Sequence, residues 1–205
     1  MPLTIVCAVA LYAFFSAVQS DNVEFRWSMA TGYVALVLLA ATLIVGAFNV
    51  IRSRRIPVSS DLRRDIGIWC GAISLAHVII GLQVHLGNML LYFFREAGAA
   101  KRLVPRTDLF GFANYAGLVA AIIVLLLLIT SNDISLRRLG SKRWKAVQRW
   151  NYAFAFLVVL HSIAYQVLEN RQPFYVALFS VVVLSAFVFQ VKGFRRKRGQ
   201  PVSAS

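Results

Sequence analysis

Apolar residues fall in six long runs, at about 3–18, 29–50, 66–84, 109–129, 150–167 and 174–191, with the polar residues gathered between them. A bilayer core of about 30 Å is crossed by about 20 helical residues. In lipid every backbone N–H and C=O must be paired within the chain, so runs of this length predict helices. The pattern therefore predicts an all-α membrane protein, a bundle of six transmembrane helices. The first run is short. It has no Lys or Arg ahead of its apolar stretch, which reads as a retained helix rather than a removed leader. The third run has an ambiguous end, because Leu90, Leu91, Tyr92, Phe93 and Phe94 continue the apolar pattern beyond His85.

Composition agrees. Of 205 residues, 59% are hydrophobic and only 15% charged, against about 25% charged in soluble domains. That excludes a soluble enzyme, a disordered chain and a disulfide-rich module. Basic residues number 22 against 8 acidic ones, a net charge of +14. Nucleic acid is not the expected partner, because the charge sorts by side of the membrane. Sixteen cations (Arg52, Arg54, Arg55, Arg63, Arg64, Arg137, Arg138, Lys142, Arg143, Lys145, Arg149, Lys192, Arg195, Arg196, Lys197, Arg198) lie on one side. Six (Arg26, Arg95, Lys101, Arg102, Arg106, Arg171) lie on the other. The positive-inside rule places the sixteen, and both chain ends, in the cytoplasm, so spans three and five run outward. Residues 1–191 form the bundle, and 192–205 read as a basic cytoplasmic tail attracted to membrane lipid. No GxGxxG or P-loop occurs, no internal repeat is evident, and a soluble stretch lies near 94–108. The acidic residues sit in loops or at span ends, which argues against a proton-coupled transporter. Cys7 and Cys70 occupy different spans near the cytoplasmic side and are expected to pack as small apolar residues.

The chemistry lies in the histidines. His77 is twelve residues past Asp65, and His161 is twelve residues past Arg149. Both helices start at the same face, so at about 1.5 Å per residue both rings lie about 18 Å in. Ionisable side chains at that depth are costly and mark candidate sites. A lone histidine bonded to a neighbouring carbonyl is the ordinary alternative; two at one depth favour a shared ligand. Zinc takes further His, Cys or carboxylate ligands, whereas a haem brings four nitrogens of its own and asks the protein for two. His77 and His161 are therefore the candidate axial ligands of one b-type haem. Gly81, one turn past His77, leaves room beside it. Tyr165, one turn past His161, offers an aromatic wall or a hydrogen bond. His85 lies about 12 Å further out than His77. It reads as a polar interfacial residue, with placement of a propionate or contact with an electron acceptor as the alternative.

Three segments carry a family likeness: LRRDIGIWCGAISLAH (62–77), ITSND (129–133) and LGSKRWKAVQRWNYAFAFLVVLH (139–161). The stretch 62–169 resembles the ferric reductase-like transmembrane domain family, and within it the bacterial YedZ/MsrQ-like haem-binding membrane subunits. The resemblance implies a cytochrome b-like bundle in the bacterial inner membrane, with haem between spans three and five on His77 and His161. It implies electron transfer from a cytoplasmic flavin reductase or a quinol, with FMN or quinone as further cofactors. The implied acceptor lies on the outer side, such as a periplasmic methionine sulfoxide reductase. One position departs from the pattern: Gln148 stands where the family has a histidine thirteen residues before the span-five ligand, so a second haem near the cytoplasm is in doubt. A non-haem structural or assembly subunit, and a metal-ion reductase acting at the outer face, are the competing readings.

Overall fold

The computed structural model describes residues 2–52, 60–85 and 88–198; Arg54, Arg55 and the end of the basic tail lie outside them. Seven α-helices are found among the described residues: α1 Pro2–Ala17, α2 Val23–Ile51, α3 Ser60–Gly81, α4 Leu109–Thr130, α5 Asp133–Gln148, α6 Asn151–Leu168 and α7 Pro173–Arg198. Each apolar run of the sequence has become a helix. By length and composition α2, α3, α4, α7 and the helical stretch ending in α6 are long enough to cross a membrane, and α1 is a shorter apolar helix. Asparagine and aspartate set several starts. Asn22 Oδ1 accepts from Phe25 N at 2.7 Å, Asp108 Oδ1 from Gly111 N at 2.7 Å, and Asn132 Oδ1 from Ser135 N at 2.8 Å. Each satisfies an N–H that the first helical turn leaves without a partner.

Helix α2 is the centre of one half, packing on α1, α3 and α7, and α4 is the centre of the other, packing on α3 and α6. The shared core joins Val34, Leu38, Leu39 and Leu43 of α2 to Cys70 and Ile73 of α3, Ile123 and Val124 of α4, and Phe154 of α6. Cys7 and Cys70 are free and buried in this core, as expected of small apolar residues. Helices α3 and α6 have no comparable packing on each other. The gap between them is where the site forms.

Three elements differ from the sequence pattern. Helix α3 stops at Gly81, short of the expected 84, and Leu90–Phe94 do not extend it. The chain turns back through a single 3₁₀ turn, Met89–Tyr92. The cause is Tyr92, which is 1% exposed. Its hydroxyl donates to Gly81 O at 3.0 Å and accepts from His85 N at 3.0 Å. A two-stranded hairpin follows, β1 Phe94–Ala97 against β2 Arg102–Pro105, antiparallel with Arg95 opposite Val104. It is a small β addition to the all-α bundle. The connection after span four is the helix α5, which carries Arg137, Arg138, Lys142 and Arg143 on exposed positions and breaks at Gly140 (φ 72°). Finally, α7 runs on to Arg198, so the basic tail begins as the last turns of a helix. The bundle thus has a basic end, where α5 and the end of α7 lie, and a hairpin end.

Replacing Tyr92 by Phe removes the acceptor of His85 N and a donor to Gly81 O. The expected cost is about 1–2 kcal/mol, read as a lower midpoint in denaturant unfolding of the detergent-solubilised protein; an unchanged midpoint contradicts this closure of α3.

Candidate functional site

His77 projects from α3 and His161 from α6 into the gap between those helices. Their ring centres lie 6.3 Å apart and their planes are nearly perpendicular, at 86°. Each ring is held through the same atom. His77 Nδ1 lies 3.0 Å from Ser28 O on α2, with Thr31 Oγ1 at 3.4 Å. His161 Nδ1 lies 2.9 Å from Ala113 O on α4. A carbonyl can only accept, so each Nδ1 carries the proton and each Nε2 keeps its lone pair. Metal-bound histidines are oriented in this way, one nitrogen given to a carbonyl and the other left for the metal.

The carbonyls are reachable because of what stands four residues on. The helical partner of Ser28 O is residue 32 and that of Ala113 O is residue 117, and both are glycine. A Cβ on Gly32 would lie 3.1 Å from His77 Cε1; one on Gly117 would lie 2.9 Å from His161 Nδ1. A side chain at 117 would displace the His161 ring, and one at 32 would crowd that of His77 by a few tenths of an ångström. No repeat is evident in the sequence, yet in space the arrangement occurs twice: a helix lends a carbonyl and a glycine, and the neighbouring helix lends a histidine.

Around the pair lies a cavity of about 270 Å³, measured as the room open to the centre of a water molecule, lined by α2, α3, α4, α6 and the turn after α3. Its walls fit a flat apolar guest better than a bare ion. Among the described residues no three His, Cys, Asp or Glu side chains are grouped to hold a metal. A metal held between the two rings by bonds of about 2 Å, with about 1 Å from each nitrogen to its ring centre, would separate the ring centres by about 6 Å. The observed spacing matches that length.

The other sequence candidates also reach this cavity. Gly81 lines it, with Ser28 Oγ 3.6 Å from where its Cβ would be. The Tyr165 ring lies 4.9 Å from that of His161, and its hydroxyl donates to Asn114 Oδ1 at 2.9 Å. His85 is not beside the histidine pair. It stacks on Tyr165 at 6.4 Å, and its Nε2 lies 2.8 Å from Glu169 Oε1. Gln148 stands away from the cavity, donating from Nε2 to Thr130 Oγ1 at 3.2 Å, where it ties the end of α5 to the end of α4.

Sequence reasoning missed Gly32, Gly117, Glu169, Arg171 and Gln166. Glu169 had a signal. It lies eight residues past His161, as His85 lies eight past His77. The equal offset puts His85 and Glu169 at one depth, as it does His77 and His161, and the two side chains meet there.

Residues 31–159 match the family described as the ferric reductase like transmembrane component. The chain is 31% identical over 166 residues to the protein-methionine-sulfoxide reductase heme-binding subunit MsrQ of Pectobacterium carotovorum, covering 81% of this chain and 75% of that one. It is 31% identical over 157 residues to the same-named protein of Cronobacter sakazakii, covering 76% and 71%. With that of Klebsiella pneumoniae it shares 29% over 173 residues, covering 84% and 78%. The matched stretch takes in α3 with His77 and α6 nearly to His161, and this chain belongs to the ferric reductase-like transmembrane family.

Proposed function

We propose that this protein is a membrane electron-transfer subunit holding one b-type haem on His77 and His161. The observation that carries the reading is the pair of imidazoles at bonding separation, each with Nδ1 given to a helix carbonyl. The names of the relatives, heme-binding subunits, support it. When bound, the haem supplies one-electron exchange at its iron.

The residues of the chain do the rest. His77 and His161 would hold the haem through their free Nε2 atoms, and a haem so held would supply outer-sphere electron transfer rather than oxygen binding. Leu36, Leu39, Val124, Phe154 and Val158 line the inner half of the cavity with hydrocarbon; burial of this kind is one of the levers that set a redox potential. Tyr165 braces His161 and links it in space to His85 and the hairpin end. With the basic end in the cytoplasm, electrons come from a cytoplasmic flavin reductase or a membrane quinol. They leave to an acceptor outside the bacterial inner membrane, with the methionine sulfoxide reductase system of the relatives as the leading candidate. Arg63 and Arg64 are engaged within the protein, on Thr42 O at 3.2 Å and Asp133 Oδ1 at 2.6 Å. The exposed cations of α5 are therefore the better surface for an acidic or flavin-bearing donor.

Purified after haem-replete expression, the protein is expected to show a b-type reduced-minus-oxidised spectrum. His77→Ala and His161→Ala should each lower haem occupancy about tenfold or more while the protein stays monodisperse in detergent. Full haem in both variants would remove the axial pair.

Gly117→Ala tests the cradle. The added carbon displaces His161 from Ala113 O, and haem affinity is expected to fall about 10–100-fold. Gly67→Ala is the control, since its Cβ would meet nothing nearer than Thr42 Cγ2 at 4.0 Å. Equal haem binding by the two variants counts against the cradle.

A further inference from the structure

The cavity is not the same at its two ends. Toward the basic end its walls are mainly apolar, Ala35, Leu39, Ala120, Val124 and Phe154, with the Ser74 hydroxyl beside them. Toward the hairpin end they turn polar within a few residues, and Gln166, Glu169 and Arg171 line it together with His85.

The polar end is incompletely paired. Both oxygens of Glu169 are engaged, Oε1 by His85 Nε2 at 2.8 Å and Oε2 by Arg171 Nη2 at 2.7 Å. The Arg171 side chain is only 14% exposed, and its guanidinium lies 4.8 Å over the Phe25 ring. The contact with Glu169 is the one ion pair it makes among the described residues, although a guanidinium carries five N–H donors. Beside it, the buried Gln166 Oε1 has no hydrogen-bond partner among the described residues. A half-buried cation lining the cavity, beside an amide oxygen with no partner, is costly in a membrane protein unless water or a guest completes the group. An amide end is assigned by its surroundings and can turn its N–H₂ to an acceptor.

Haem has the same asymmetry. One edge carries only methyl and vinyl groups, and the opposite edge carries two propionate carboxylates. Gln166 lies about 7 Å and Glu169 about 12 Å beyond His161 along α6, so the polar groups start at the rim of a macrocycle centred on the histidine pair. Resting on the haem reading above, we infer that the haem sits with its propionate edge toward the hairpin end. Arg171 and Gln166 bind the carboxylates there, and Glu169 acts as a positioning residue that holds Arg171 and His85 at the rim. The hydrocarbon edge then faces the apolar half. The acid groups lie on the same side as the α6–α7 turn, the side assigned to the electron acceptor.

The test compares haem with its dimethyl ester, which has the same iron and macrocycle but no carboxylates. Apoprotein is reconstituted with each, and dissociation constants are read from the optical spectrum. The native sequence should prefer haem by about tenfold or more, the worth of a charge-assisted hydrogen bond. Arg171→Gln should bring that ratio close to one while the paired-imidazole spectrum persists, and Arg171→Lys should keep part of it. Midpoint potentials give a second readout. Loss of the cation leaves the carboxylates uncompensated, favours ferric iron and lowers the potential in Arg171→Gln, whereas Glu169→Gln removes an anion and raises it. An unchanged ester ratio in Arg171→Gln, or no preference in the native sequence, overturns the orientation and leaves the histidine pair standing. If Arg171→Gln does not yield folded protein, Glu169→Gln decides, and an unmoved potential overturns the assignment. Failure of the native protein to bind either compound on two imidazoles removes the haem reading and this inference with it.

Discussion

Two imidazoles at membrane depth, each giving Nδ1 to a helix carbonyl, set the terms for the rest of the bundle. Neither ring has bulk water to bond at that depth, so each needs an acceptor from the protein. Ser28 O and Ala113 O supply it without breaking their helices, because a carbonyl oxygen has two lone pairs and needs only one for the helix. The cost is steric: a side chain four residues on would fill the place the ring must take. Glycine at 32 and 117 is the consequence. The α2–α3 and α4–α6 pairs are each fastened by one histidine in addition to their apolar contacts. Helices α3 and α6 are left apart, and the cavity is that separation.

The bundle is polarised along its axis. At the basic end, cations on α5 and α7 face outward and the interior is hydrocarbon. At the hairpin end the few polar groups turn inward: Tyr92 closes α3, Tyr165 and Asn114 pair with each other, and His85, Glu169 and Arg171 form a linked row. Redox proteins tune a buried centre through ligand identity, hydrogen bonding and local charge. Here the proposed ligands come from the middle of the bundle, and the charges nearest them come from one end.

Much of this was legible before any coordinates. Long apolar runs admit one kind of structure in lipid, so six helices followed from the pattern, and the equal depth of His77 and His161 followed from the fixed rise of a helix. What stayed hidden depends on which faces meet. Gly32 and Gly117 look like ordinary small residues until the ring opposite each is known. The reach of α3 was overestimated because Leu82 and Val84 are apolar; the stop at Gly81 is imposed by Tyr92 from eleven residues away. The hairpin at 94–105 alternates too briefly to be read as strands. Helix α5, with its many cations, reads in the sequence as a loop between spans. Glu169 and Arg171 read as a loop between spans five and six, and only packing turns them into the cavity.

The central claim, two imidazoles on one iron, has a direct spectroscopic signature. The ring planes stand at 86°, and near-perpendicular axial imidazoles give low-spin ferric haem a highly anisotropic paramagnetic resonance. That signal is the expected result for the oxidised, haem-loaded protein at low temperature. A high-spin ferric signal, marking an iron with an open axial position, would contradict it.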